Sequence, residues 1–442
     1  MKKTGRPIFA ALLLLGLLLL SGCMSKSIES LYRPPQLPER YVQIQGAVDK
    51  ILAAGADYAA PESGDNRQTA QLQDLDGDGV DEVIAFFNVV GDDKPLKIYI
   101  FKYENASYVE YAVIEGEGVS IDSIVYEDLD SDSRKDIVVG WRMSAEVKML
   151  SVYSGVDYGK SCAEGLVYTD YTLHDMNGSG QKSVITVNLL GPEIQGDVNM
   201  YTLMDDGEIM SLNAKLTMGA ESLQRVRTGT LRDGRPGVYV ECTISGSGVV
   251  TDIFTLSRDQ LQNVVAGSSA DTEKLSTVRS YSVYSTDIDE DGVLDVPLPT
   301  PMPGQSETVY YTIDWMSFDS YGDVERKCTT YHNYSDGWYL VLPDEWTGYI
   351  SVRREDRISG ERTIVFSTVD ESREDFRDFL EISVLTGESR TINAAESERF
   401  TLYTEDDAIY VARILGKPGE GLSVSEEMIQ ESFYRYTVDW TA

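Results

Sequence analysis

Asp74, Asp76 and Asp78, with Glu82 four residues on, place carboxylates at the first, third, fifth and ninth positions of one short loop. Gly79 holds the sixth position, and the apolar run Val83-Ile84-Ala85-Phe86-Phe87 follows at once. Side chains alternating in this way turn inward as oxygen ligands for a hard cation. The glycine permits the sharp bend, and Val80 at the seventh position offers its backbone carbonyl. Two further stretches carry the same set: Asp128, Asp130, Asp132 and Asp136 with Arg134 at the seventh position, and Asp287, Asp289, Asp291 and Asp295 with Val293 there. Four carboxylates crowded into nine residues repel one another, and a divalent cation offsets that repulsion. The expected occupant is Ca2+, about three structural ions in all, held with the roughly 10⁻⁴ to 10⁻³ M affinity of extracellular modules.

The loops recur with a period of about fifty residues. A degenerate copy from Asp175 to Ser183 keeps the outline but has lost three of its carboxylates. Another, from Leu231 to Tyr239, keeps only the turn and the following strand. Between loops the chain alternates apolar and polar residues as strands do, clearly so in Leu96-Lys97-Ile98-Tyr99-Ile100-Phe101 and Val147-Lys148-Met149-Leu150-Ser151-Val152-Tyr153. Each unit has room for about four short antiparallel strands, with the loop joining the first two, which is the size of a propeller blade. An EF-hand would need a bidentate glutamate at position 12, between helices. That position is Ala85, Val139 or Leu298, and the flanks are strand-like. Asp and Gly also form ordinary turns without metal, but three full copies at blade spacing argue against turns alone.

Asp-x-Asp-Gly-Asp-Gly-x-x-acid before an aliphatic strand resembles the FG-GAP and VCBS repeats of integrin-type β-propellers. The resemblance implies a mainly β fold: a propeller-like array of about five four-stranded blades over residues 66–325, braced by calcium at the loops. Glu82 departs from the pattern with a longer arm, and five units are fewer than the seven usual in the integrin type.

The remainder divides into three parts. Lys2, Lys3 and Arg6 precede an apolar run from Ile8 to Leu20, and Leu20-Ser21-Gly22-Cys23 follows. That is an export signal over residues 1–22. Its end resembles a bacterial lipobox, which implies a lipid on Cys23 and a protein anchored at the outer face of the cytoplasmic membrane. Residues 23–65 read as a tether, marked by Pro34, Pro35 and Pro38, and a short helix bearing Ile44, Val48, Ile51 and Leu52 on one face. Residues 326–442 read as an α+β domain with strands near Tyr349–Arg353, Thr363–Ser367, Leu380–Leu385, Arg399–Tyr403 and Ala408–Ile414, and a helix from Ser425 to Tyr436. Its Leu-Pro-x-x-Trp opening loosely resembles PsbP/Mog1-like domains.

With 73 acidic against 38 basic residues and a net charge of −35, the surface repels nucleic acid and anionic lipid headgroups. Cys162, Cys242 and Cys328 lie far apart and lack metal spacing. They read as buried free thiols, with one long-range disulfide as the alternative. The two histidines, His174 and His332, belong to no His-Glu-x-x-His motif, and the chain has no Gly-x-Ser-x-Gly or phosphate loop. No catalytic residue is assigned. The expectation is a protein that is not an enzyme, a calcium-stabilised binding or scaffolding module that contacts a surface protein or a cell-wall glycan. The alternative is an extracellular polysaccharide hydrolase using paired carboxylates, which needs no histidine.

Overall fold

The computed structural model describes residues 39–246, 248–266, 276–280, 282–304, 308–356, 360–369, 375–396, 398–419 and 422–436. It begins with α1 (Glu39–Ala53), whose Ile44 and Val48 face inward at the spacing of one helical turn. Six antiparallel sheets follow, almost entirely in chain order.

The first sheet holds β1 (Ala56–Tyr58), β2 (Ala70–Gln73), β3 (Glu82–Val89), β4 (Leu96–Glu104) and β5 (Ser107–Gly116), with β1 and β2 sharing one edge of β3. The second runs β6 (Ser120–Glu127), β7 (Asp136–Arg142), β8 (Lys148–Tyr153), β9 (Ser161–Tyr168). The third is β10 (Asp170–His174), β11 (Ser183–Asn188), β12 (Gln195–Leu203), β13 (Ile209–Gly219). The fourth is β14 (Ser222–Thr230), β15 (Pro236–Ile244), β16 (Gly248–Ser257), β17 (Gln260–Asn263). The repeated loop joins β2 to β3 in the first of these sheets, and the first strand to the second in the other three. The fifth sheet holds β18 (Val296–Pro301), β19 (Tyr311–Phe318), β20 (Val324–Asn333) and β21 (Trp338–Leu342). Its leading strand is reduced to one bridge, Thr286 to Asp295, across the fifth loop.

Consecutive sheets pack face to face. Ile84 and Phe86 of β3 meet Ile137 and Val139 of β7, while the opposite face, Val83, Ala85 and Phe87, lies under α1. Both faces of β3 are therefore buried, which is why it reads as an unbroken apolar run rather than an alternation. Further clusters join the second sheet to the third, the third to the fourth, and the fourth to the fifth.

This row of four- and five-stranded antiparallel sheets is the mainly β architecture expected from the repeats. A closed ring is not what these contacts build. Helix α1 occupies the free face of the first sheet, and the fifth sheet packs its far face on the sixth.

The sixth sheet runs β22 (Ile350–Glu355), β23 (Glu361–Val369), β24 (Phe376–Thr386), then β26 (Ala408–Ile414) and, at its edge, β25 (Phe400–Thr404). Each strand expected in the C-terminal part is present. Helix α2 (Arg390–Ala394) lies between β24 and β25. Helix α3 (Glu426–Ser432) is capped by the Ser425 hydroxyl, which accepts from the Met428 N–H. The helix expected to reach Tyr436 stops at Ser432, because β27 (Phe433–Arg435) leaves it to pair with β21 as the outer strand of the fifth sheet. The line drawn at residue 325 thus falls inside that sheet, within β20. Trp338, Trp346, Phe366 and Phe379 form the core between the last two sheets. Cys162, Cys242 and Cys328 are all unpaired.

Candidate metal centre

Each loop is anchored by an apolar residue at its second position. Leu75, Leu129, Met176 and Leu231 are all buried there. The ninth residue turns back to bind the N–H of that same second residue. Glu82 Oε2 accepts from Leu75 at 2.8 Å, Asp136 Oδ2 from Leu129 at 2.7 Å, and Asp295 Oδ2 from Ile288 at 3.4 Å. The first residue folds the turn. Asp74 accepts from Gly77 and Gly79, Asp128 from Asp132 and Ser133, and Asp287 from Asp291 and Gly292. The fifth residue accepts from the seventh N–H, as in Asp78 with Val80, Asp132 with Arg134 and Asp291 with Val293. Positions four and six are left-handed in four of the five copies: Gly77 and Gly79, Ser131 and Ser133, Gly178 and Gly180, Glu290 and Gly292; the copy at Leu231 has one left-handed residue, Gly234. Glycine accepts this backbone freely, and the second loop holds it with two serines.

This frame converges carboxylates. Asp74, Asp76 and Asp78 bring one oxygen each within 4.8 Å of one another, and so do Asp287, Asp289 and Asp291. In the second loop the group is Asp128, Asp130 and Asp136, with Asp132 outside it, just as Glu82 and Asp295 lie outside theirs. The buried oxygens Glu82 Oε1 and Asp295 Oδ1 have no hydrogen-bond partner among the described residues. A buried carboxylate oxygen left without a donor is costly, and a bound cation supplies what it lacks. Burial raises the Glu82 carboxyl, and lifts Asp136 to about 6 and Asp295 to about 7. The donor set is hard oxygen throughout, which fits Ca2+ and not a soft metal. Bound there, calcium would neutralise the clustered charge.

In the degenerate third loop Asn177 and Ser179 replace two of the aspartates. Gln181 Nε2 donates to the carbonyls of Leu129 and Leu203, and the Ser183 hydroxyl pairs with Thr202. These neutral side chains tie this loop to the second loop, through Leu129, and to β12, through Leu203 and Thr202.

Two lysines enter the acidic loops from elsewhere. Lys102, on β4, ion-pairs with Asp76, and Lys327, on β20, with Asp291 and, at 3.3 Å, Asp289. The Lys102 ammonium draws the Asp76 carboxyl down, and Lys327 does the same to Asp291. No motif announces either residue, since each is an isolated lysine on a strand. Neighbouring units are also tied together at the loops. Lys135 N donates to Leu75 O at 2.7 Å, while the Lys135 and Lys182 ammoniums reach back to Gln73 and Glu127, each of which directly precedes the first aspartate of the preceding loop.

Of the other residues singled out in the sequence, His332 is buried and His174 half-buried, and neither is a member of a carboxylate cluster. Cys23 and the signal segment lie outside the described residues. Among those residues, no helix is long and apolar enough to cross a membrane.

Carboxylates also line a cavity away from the loops. A cavity of about 280 Å³ between the first and second sheets is lined by Glu115, Glu117 and Glu164, with Trp141 and Tyr153 beside them. Gly116 makes room for the indole, for a Cβ there would stand 2.4 Å from Trp141. A larger cavity of about 380 Å³ is lined by Tyr310, Tyr311, Tyr331 and Tyr334 with Arg354, and by no carboxylate among the described residues.

No protein-family model matches the chain, and no curated protein is found similar to it. Among solved structures it is similar to a fructosyltransferase from A. japonicus, at 10% identity and TM-score 0.26, over 70% of this chain and 65% of that one. A putative exo-beta-1,3-galactanase from Bifidobacterium bifidum s17 is similar at 9% identity and TM-score 0.22, over 66% of this chain and 98% of that one. The chain spans somewhat less than two thirds of the fructosyltransferase. These neighbours are enzymes by name, and the expectation that the chain is not an enzyme is corrected on that finding. TM-scores this low define no common fold and bear on no substrate.

Proposed function

We propose that the chain is a calcium-braced repeat protein of the FG-GAP/VCBS kind, with propeller-like blades, held outside the cytoplasmic membrane by a lipid on Cys23 and directed at polysaccharide. Support for the brace is the repeated convergence of aspartates with an unpartnered, buried ninth-position oxygen in two of three loops. The observation that carries action on polysaccharide is the cavity that sets Glu115, Glu117 and Glu164 beside Trp141 and Tyr153. A sugar ring stacks on an indole or phenol face. Two carboxylates flanking a glycosidic bond serve as acid and as base or nucleophile. Calcium in this reading holds the sheets and takes no part in the chemistry.

The tyrosine-lined cavity, with its aromatic faces and a guanidinium, would serve the same polymer as a holding site.

One experiment tests hydrolysis directly. Purified full-length protein in detergent, with calcium, is incubated with a panel of cell-wall and plant polysaccharides, and both retention and new reducing ends are followed. Hydrolysis predicts reducing ends that fall at least a hundredfold in Glu115→Gln, Glu117→Gln or Glu164→Gln while binding persists. Tyr310→Ala and Tyr334→Ala are expected to weaken retention, and retention without new ends would contradict hydrolysis. Neither retention nor new ends would remove polysaccharide as the target.

A further inference from the structure

In a chain with nearly twice as many acids as bases, one cavity gathers arginines. It encloses about 220 Å³ where the fourth sheet, the fifth loop and the fifth sheet meet, and Arg225, Arg227, Arg435 and His332 all line it. Arg225 and Arg227 are two residues apart on β14 and so share one face of the strand. Arg435 comes from β27, the last strand of the fifth sheet. Two separate parts of the chain, β14 and β27, thus deliver three guanidinium groups to a single hollow.

Two of these groups are fixed by their surroundings. Arg225 lies over the Tyr284 ring, 4.6 Å from its centre. Arg435 donates to Glu405 and, at 2.7 Å, to the Asp336 carbonyl. Arg227 is exposed and makes one hydrogen bond among the described residues, from Nη1 to the Ser285 carbonyl at 3.2 Å. A guanidinium carries five N–H donors, so most of those on Arg227 remain to be used.

The imidazole of His332 adds an independent sign. The residue is 8% exposed, and its Nε2 meets the Thr330 hydroxyl at 2.9 Å. Its Nδ1 is buried with no partner among the described residues. A buried polar nitrogen left without a partner in the wall of an arginine-lined hollow is one that a ligand oxygen satisfies. Asp287 and Glu290 also line the hollow. Both oxygens of Asp287 are taken by the Asp291 and Gly292 N–H groups of its own loop.

We propose that this hollow is an oxyanion site, taking the carboxylate or phosphate group of a charged extracellular glycan. Arg227 forms the charge-assisted bonds, Arg225 and Arg435 set the field, and His332 Nδ1, carrying the ring proton while Nε2 accepts from the Thr330 hydroxyl, donates the remaining hydrogen bond. Arginine presents a planar fork that matches both anions, which is why the two sources share one chemistry. Because Asp287 opens the fifth loop, a cation there removes negative charge from one wall, and anion binding strengthens with calcium. The identification of the anion's carrier as a glycan rests on the polysaccharide reading above; the oxyanion site itself does not.

The test is calorimetric titration of the full-length protein in detergent with glucuronate, glycerol phosphate and, as the neutral control, glucose, each with calcium and with EDTA. The expected result is binding of at least one anion and not of glucose, weaker in EDTA, and at least tenfold weaker in Arg227→Ala. Arg227→Ala melts as the parent does, since that side chain is exposed. Binding of glycerol phosphate alone supports the site and assigns it to a phosphate-bearing polymer. If both anions bind while every polysaccharide fails to be retained, the oxyanion site stands and the glycan reading falls. Binding of neither anion in calcium, or equal affinity in parent and Arg227→Ala, overturns the proposal.

Discussion

Ser131 and Ser133 hold left-handed backbone, with φ of 64° and 74°, at the two positions where the first loop has Gly77 and Gly79. An L side chain in that region costs roughly 1–2 kcal/mol per residue. The Ser133 N–H donates to Asp128, a bond that glycine retains. Ser133→Gly is therefore expected to raise unfolding stability by about 1 kcal/mol, partly offset by the greater freedom of glycine in the unfolded chain. Urea denaturation in EDTA measures it, and a loss of stability would show that the serine side chain does something more. Lys102 presents a different balance. Its ammonium lies on Asp76, so it stabilises the first loop without metal and competes with metal for the same carboxylate. Lys102→Met should lower the melting temperature in EDTA yet tighten calcium binding at that loop several-fold. Lys102 as mere packing predicts the first effect alone. The spacing of the aspartates was legible residue by residue because each carboxylate has a fixed loop position. The lysines were not, for they arrive from strands about 25–40 residues away and nothing local marks them.

At the scale of elements, the turn–strand unit could be read directly. An apolar second position, a ninth-position acid and an apolar strand are all local features, and they recur as Leu75 with Glu82 and Leu129 with Asp136. Strands such as β3 and β7 were legible from their unbroken apolar runs. The three-residue β27 was not. Phe433 continues the apolar face of α3, and only pairing with β21 tells it from one more helical turn. The β20–β21 pair carries a pH dependence of its own. His332 and Tyr339 are direct cross-strand partners whose rings stack at 4.9 Å and 12°. Burial holds the imidazole down to about 3, against 6.5 in the open chain. Between those values the unfolded chain binds a proton that the folded chain does not. The stability associated with His332 is accordingly whole above pH 6.5 and is lost as pH falls toward 3. Melting temperature followed from pH 7 to pH 4 should drop more steeply in the parent than in His332→Phe. Parallel curves would mean that the imidazole takes up its proton without leaving the stack.

At the scale of the whole molecule, the order of sheets followed from the repeats but their closure did not. Ring closure depends on which surface covers the first sheet, and the amphipathic stripe of Ile44 and Val48 says that α1 buries something without saying what. The joint between the fifth and sixth sheets was equally hidden. Trp338 and Trp346 straddle the apparent start of a new module, and both are core residues of that joint. The arginine-lined hollow and the cavity of Glu115, Glu117 and Glu164 exist only once distant sheets meet, so no stretch of sequence displays them. The loops lie where successive sheets are tied together, through Lys135 to Leu75 and Gln181 to Leu129. Charge neutralised at the loops therefore acts on the stability of the row of sheets as a whole.

The most direct test is calorimetric unfolding of the full-length protein in detergent, first in EDTA and then across a calcium titration, beside an Asp76→Ala/Asp130→Ala/Asp289→Ala variant. A ligand that binds only the folded state at a hundred times its dissociation constant adds about 2.7 kcal/mol per site. The account predicts a melting temperature that climbs with calcium in the parent and stays flat in the variant. A parent that melts at the same temperature in EDTA and in saturating calcium would contradict it, and the aspartate loops would then be turns and nothing more.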